Sequence, residues 1–317
     1  MSALTFPSNV RTRSRFRDCT MTLAIFLGAA CASPSTDSQK AFDTPEQAAE
    51  ALILAAEQYD VQALKEMLGP DGVALVTTED AVQDKNTNAA FAAEARQQTR
   101  VIRDSTDTKV ARLFVGAEEW PLPIPVVENG GKWRFDSKAG RQELLNRRIG
   151  SNELDAIEIC LGYVEAQYEY ASEKRDGASV NQYAQRIIST PGKQDGLAWT
   201  APDGTWEGPV GEGIAGIIAE GYTERYKPYH GYYFKILKGQ GPAAPLGEMD
   251  FMVQDVMIGG FALVAAPAEY EVTGVMTFMV SHDGVVYQKD LGAATLETFR
   301  TMDRYNPDDS WSRVEDQ

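Results

Sequence analysis

The chain has 317 residues, with 30 Lys plus Arg against 46 Asp plus Glu and only two His. That length suits about two domains of roughly 100–200 residues each. A net charge of −16 argues against holding phosphate backbones or anionic lipid by charge alone, and two histidines cannot build a three-His metal site within one subunit.

In chain order, Arg11, Arg13, Arg15 and Arg17 form a positive start, followed by the apolar run 21–30. A bilayer span takes about 20 residues, so this run is too short to cross one. Small residues and a polar stretch from Ser33 follow, which is the order of a secretory signal peptide. Leu27-Gly-Ala-Ala-Cys31 resembles a bacterial lipobox, which implies acylation at Cys31 and membrane contact through a lipid anchor only. Cleavage after Ala32 is the competing reading. Either way the expected location is exported, as a periplasmic protein or a membrane-anchored lipoprotein. The division that follows is a signal peptide at 1–30, a flexible tail at 31–40 and two domains at 41–150 and 151–317. Of the three cysteines only Cys160 falls inside a predicted domain, so no internal disulfide framework can form there.

Thr44-Pro-Glu-Gln47 reads as a helix start, with Thr44 as cap, Pro45 in the first turn and Gln47 completing a capping box. Ala48, Leu52, Ala55, Ala56 and Tyr59 continue it at helical spacing. Asp60 caps a second helix, Val61–Leu68, which stops at Gly69-Pro70, and a polar third helix is expected near 88–98. Strand patterns then take over at 109–115, 124–127 and 132–135, with a hairpin turn at Glu128-Asn-Gly-Gly131. Pro121, Pro123 and Pro125 cannot donate to a ladder, which places 120–125 at a sheet edge. Helices followed by a curved antiparallel sheet make an α+β domain. The order resembles the cystatin-like, nuclear transport factor 2-like cone, which implies a pocket for small ligands or catalysis. Asp80, Glu118, Glu119 and Asp136 are the carboxylates available to it.

The second half opens on the most regular signal in the chain. Leu154, Ile157, Leu161, Val164 and Tyr168 are spaced three, four, three and four apart, predicting a helix of about 20 residues that buries this stripe. Glu153, Asp155, Glu158, Glu165 and Glu169 fill its outer side as a solvated face. A loop-rich middle follows, then a helix near 213–221. Strands are predicted at 232–237, 261–265, 275–280 and 285–289, with a turn at Ser281-His-Asp-Gly284. One long helix on a four-stranded antiparallel sheet resembles the head of type IV pilins and pseudopilins. Unlike a pilin, the chain places a whole domain before this helix.

Several longer strings resemble one family in the same order: Trp120-Pro-Leu-Pro-Ile-Pro125, Trp133-Arg-Phe-Asp136, Asn146-Arg-Arg-Ile-Gly-Ser-Asn-Glu153, Ser189-Thr-Pro-Gly-Lys-Gln-Asp-Gly196, Pro228-Tyr-His-Gly-Tyr-Tyr-Phe234 and Val286-Tyr-Gln-Lys-Asp-Leu-Gly292. They are similar to the bacterial envelope proteins catalogued as domain of unknown function 2950. The resemblance implies export and supplies no activity or substrate.

The chain carries no HExxH, CxxC or GxSxG string, and its glycine-rich stretches 208–213 and 239–242 lack the strand-to-helix setting of a phosphate loop. Binding-loop candidates are Ser189, Lys193 and Trp199, with Tyr229 and His230 in a polar-aromatic cluster beside the strand at 232–237. A metal held between His230 and His282 is a third, more remote possibility. The function expected from these features is a non-enzymatic interaction or assembly module with an envelope protein as partner, no nucleic acid and no cofactor. The alternative is a small-ligand-binding or hydrolytic enzyme working from the N-terminal cone.

Overall fold

The computed structural model describes residues 39–76, 81–213 and 228–315. The signal segment, Cys31, Asp80, Tyr226 and most of the helix expected near 213–221 lie outside the described residues. The chain divides between Arg147 and Arg148 into two compact units. Both combine helices with antiparallel sheet, an α+β chain.

The first unit begins with α1 (Pro45–Glu57). Its cap Thr44 accepts from the Gln47 amide at 3.2 Å, and the Gln47 side chain accepts in turn from the Asp43 amide. Helix α2 (Val61–Leu68) is capped by Asp60, which accepts from the Ala63 amide at 3.0 Å. Helices α3 (Val73–Val76) and α4 (Ala81–Gln97) complete the helical layer. Strands β1 (Thr99–Arg103), β2 (Val110–Val115), β4 (Val126–Asn129) and β5 (Lys132–Phe135) pair in that order, and the short β3 (Trp120–Pro121) adds to β2. The proline run therefore sits where few ladder donors are needed. Alternation on β2 buries Ala111, Leu113 and Val115; the first two meet Leu52, Leu64, Val126, Trp133 and Phe135 in the core, and Val115 packs with Ile53 and Ala95. Gly130 and Gly131 adopt φ of +62° and +73° in the hairpin turn between β4 and β5.

Helix α5 (Ser137–Tyr170) starts well before the predicted helix. Asp136 accepts from the Ala139 amide at 2.9 Å and caps it. The second unit takes up α5 from Arg148. After it come the ribbon β6 (Trp199–Thr200) with β7 (Trp206–Glu207), then β8 (Tyr232–Leu237), β9 (Gly239–Gln240), β10 (Met249–Asp250), β11 (Met252–Val253) and β12 (Val256–Met257). Strands β13 (Ala262–Pro267), β14 (Met276–Ser281) and β15 (Tyr287–Asp290), the short helix α6 (Thr295–Thr301) and β16 (Ser312–Arg313) close the unit. The main sheet is antiparallel with order β16-β15-β14-β13-β8, five strands rather than the four expected. All six residues of β13 are buried, so both faces of that strand are covered.

The stripe predicted to bury α5 is only partly buried. Val164 is in the core and Ile157 packs against it, but Leu154, Leu161 and Tyr168 are 46%, 45% and 48% exposed. The buried side is built instead from Ala156, Cys160, Tyr163, Ala166, Gln167 and Tyr170. Small residues let the helix axis come close to the sheet. Tyr163 then reaches β13, its hydroxyl 3.4 Å from the Ala262 carbonyl and its ring edge-on to Phe261. Cys160 is a free thiol with no exposed surface, and burial pushes it up to about 12, the behaviour of an inert packing residue.

Candidate functional site

Arg148, Ser151, Asn152 and Asp155 recur at the spacing that puts residues on one face of a helix. With His230, Gly231, Glu269, Val272 and Thr273 they line an open cleft of about 610 Å³ in the second unit. Two turns form its far wall. In the first, Tyr229 and Tyr232 exchange both backbone hydrogen bonds, at 2.9 and 3.0 Å, around His230 and Gly231. Positive φ at both central residues, +46° and +74°, makes this a type I′ turn. Glycine is needed at 231 for space as well, because a Cβ there would lie 2.6 Å from Asn152 Nδ2 and 2.8 Å from Thr273 Cβ. In the second turn the Thr273 amide donates to the Glu269 carbonyl at 2.9 Å.

Three polar side chains of α5 tie the helix to that second turn and to the start of β14. Arg148 donates to the Val272 carbonyl at 3.0 Å and Asn152 to the Thr273 carbonyl at 2.8 Å. The Glu153 carboxylate accepts from the amides of Val275 and Met276 at 2.8 and 3.0 Å. These groups are used in positioning. Asp155 does something different: its Oδ2 lies 2.5 Å from His230 Nδ1, with the two side chains 24% and 35% exposed. The Tyr229 ring packs on the imidazole with centroids 4.2 Å apart. A carboxylate accepting from Nδ1–H fixes the tautomer and leaves Nε2 to meet a ligand. The left-handed backbone at His230 is a conformation that non-glycine residues adopt uncommonly and that concentrates at functional positions. Ser151 shares the cleft, yet among the described residues no hydrogen bond joins its hydroxyl to the ring, so an assembled Ser–His–Asp relay is not what the side chains form.

The sequence candidates separate into two places. Tyr229 and His230 belong to this cleft and its wall. Ser189, Lys193 and Trp199 do not line it. Ser189 is buried and its hydroxyl accepts from the Gly196 amide at 2.9 Å. Trp199 is buried, donates to Glu207 at 3.0 Å and carries the Arg175 guanidinium 5.0 Å above its ring. Both hold the 189–199 loop together, while Lys193 is exposed near its tip. Asp155 and Arg148 were missed because each reads as one more charge on a polar helix face. The signal available was the polar stripe 148, 151, 152, 155.

His230 and His282 do not share a site, and the metal-pair idea falls. His230 meets α5 at Asp155, whereas the His282 carbonyl accepts from the Tyr168 hydroxyl at 2.6 Å. Thirteen residues of one helix separate those contacts by about 20 Å. Among the described residues no group of three or more His, Cys, Asp or Glu could hold a metal ion. In the first unit Glu119 pairs with Arg100, Asp136 caps α5 and Glu118 is exposed, so none of these enters the core. The buried acid of that unit, among the described residues, is Asp84 on α4.

No curated protein and no solved structure matches the chain. One family model does, over residues 39–314, which takes in both units, the cleft and the 189–199 loop. The chain belongs to the family described as Protein of unknown function (DUF2950).

Proposed function

We propose that this protein is an exported envelope protein that acts by recognition rather than catalysis, with its second unit as the binding module. The signal-like start and Cys31 support export with a lipid anchor. The order of helices and hairpins supports reading the first unit as cystatin-like, and a long helix on an antiparallel sheet supports reading the second as pilin-head-like. The observation that carries the proposal is the cleft itself. Arg148 and Asn152 are spent on backbone partners, and the Asp155-oriented imidazole of His230 is left facing an open concavity of mixed polar and apolar surface. Such a surface suits a polar group of an envelope partner better than an enclosed small substrate. In-cell cross-linking followed by affinity capture of the full mature protein tests this. Capture of one envelope protein should fall about 10- to 100-fold in His230→Asn and Asp155→Asn, the loss expected for a charged hydrogen bond of about 1.5–3 kcal/mol. Capture unchanged in both variants would sink the recognition role of the cleft.

A further inference from the structure

The exposed side of α5 carries a pattern of its own. Ser151, Leu154, Glu158, Leu161, Glu165 and Tyr168 are all exposed and follow one another at spacings of three, four, three, four and three. That alternation is the seam of a coiled coil, in which two columns of side chains meet a partner helix. One column here is apolar, Leu154, Leu161 and Tyr168, each seven residues from the next. The other is polar and acidic, Ser151, Glu158 and Glu165. From Leu154 to Tyr168 the apolar column runs about 21 Å along the helix. Its end is fixed in place, because the Tyr168 hydroxyl donates to the His282 carbonyl at 2.6 Å and its ring stands edge-on to Phe261 at 5.4 Å. Among the described residues Glu158 and Glu165 form no ion pair.

We infer that this face docks a basic amphipathic helix of another protein, with leucine-like residues against Leu154, Leu161 and Tyr168 and Lys or Arg against Glu158 and Glu165. The charge pattern selects that occupant over a second copy of this chain. A parallel pair of α5 helices would alternate apolar layers with Glu158–Glu158 and Glu165–Glu165 layers. An antiparallel pair would set leucines against glutamates. Both arrangements bury like charges or unpaired carboxylates. A basic helix removes the conflict, and the net charge of −16 speeds its approach. Apart from Ser151 at its start, the seam uses other side chains than the His230 cleft, and the inference stands or falls separately from it.

The full mature protein can be titrated calorimetrically with a stapled helical peptide of about three heptads, Leu in one seam column and Lys in the other. A twin peptide carries Glu in place of Lys. The Lys peptide should bind, with affinity falling as salt rises, and the Glu twin should bind at least about tenfold more weakly. Leu161→Ala should weaken the Lys peptide about tenfold, the usual effect of truncating an anchor side chain. The double substitution Glu158→Lys with Glu165→Lys should reverse the preference and favour the Glu twin. All positions are exposed, so an unchanged circular dichroism melt is the folding control for each variant. Equal binding of the two peptides, or binding indifferent to Leu161→Ala, would overturn the inference. A concentration-dependent dimer in sedimentation that Leu161→Ala abolishes would overturn it as well and give the face to a second copy.

Discussion

The Tyr232 hydroxyl donates to the Met276 carbonyl at 2.9 Å, and the absence of a side chain at residue 274 is what makes room for it. A Cβ at Gly274 would sit 2.2 Å from that oxygen and 2.6 and 2.7 Å from two ring carbons, far inside contact distance. Tyr232 is 1% exposed and burial pushes its hydroxyl well above the ordinary tyrosine value, so the oxygen has nowhere else to go. Gly274→Ala should therefore cost about 2–3 kcal/mol, from overpacking together with a lost buried hydrogen bond. Urea unfolding of the pair checks it. Tyr232→Phe in the Gly274→Ala background should restore only part of the loss, since the ring carbons still clash. A Gly274→Ala protein as stable as its parent would mean that the turn at 269–274 yields freely, and the cleft wall built on it would not be rigid.

Among the elements, the 189–199 loop is held by an acid. Burial raises the Asp195 carboxyl, but the Thr190 amide and hydroxyl, at 2.7 and 2.8 Å, and Arg186 at 3.5 Å pull it down further, leaving it below the ordinary carboxylate value. An acid depressed in the folded state stabilises above its unfolded value and loses that contribution as pH falls through the folded one. Asp195→Asn should thus be about 1 kcal/mol less stable than the parent at pH 7, a melting shift of roughly 2–4 °C for a unit of this size. The gap should close as pH drops below 3.8, the unperturbed value. A gap that persists unchanged into acid would remove the carboxylate from the account. The same scale explains what could be read in advance. The strands at 132–135 and 232–237 match the structure residue for residue, because β-rich runs bounded by turn glycines leave little freedom. Helix α5 was misread twice. Its first turns, 137–150, are polar with two glycines and carry no apolar stripe; an Arg147–Glu143 pair at 2.8 Å and the Asp136 cap stabilise them instead. Farther on, the large residues Leu154, Leu161 and Tyr168 outshine Ala156, Cys160 and Ala166 in any hydrophobic pattern, although close packing on a sheet favours the small ones. The cleft was half legible: the turn at 229–232 could be named, but its partner Asp155 is 75 residues away and only the fold brings the two together.

At the level of the whole molecule, the proposed lipid anchor raises the question of what could hold so acidic a protein at a membrane. With a net charge of −16 the chain gains nothing from an anionic lipid surface. Among the described residues no helix is long and apolar enough to cross a bilayer. If the protein is an anchored lipoprotein, acyl chains on Cys31 supply that anchor, and stable anchoring takes more than one chain because a single one binds marginally. Expression in a bacterial host with metabolic palmitate labelling, membrane fractionation and mass spectrometry of the N-terminal peptide should find an acylated N-terminus at Cys31. Cys31→Ser should lose the label and shift the protein toward the aqueous fraction. A mature N-terminus at Ser33 would establish ordinary cleavage after Ala32, an unanchored protein and a binding module free to diffuse to its partner. Retention of residues 11–30 in the mature protein would remove the export reading, and with it the reason to seek the ligand of the His230 cleft among envelope components.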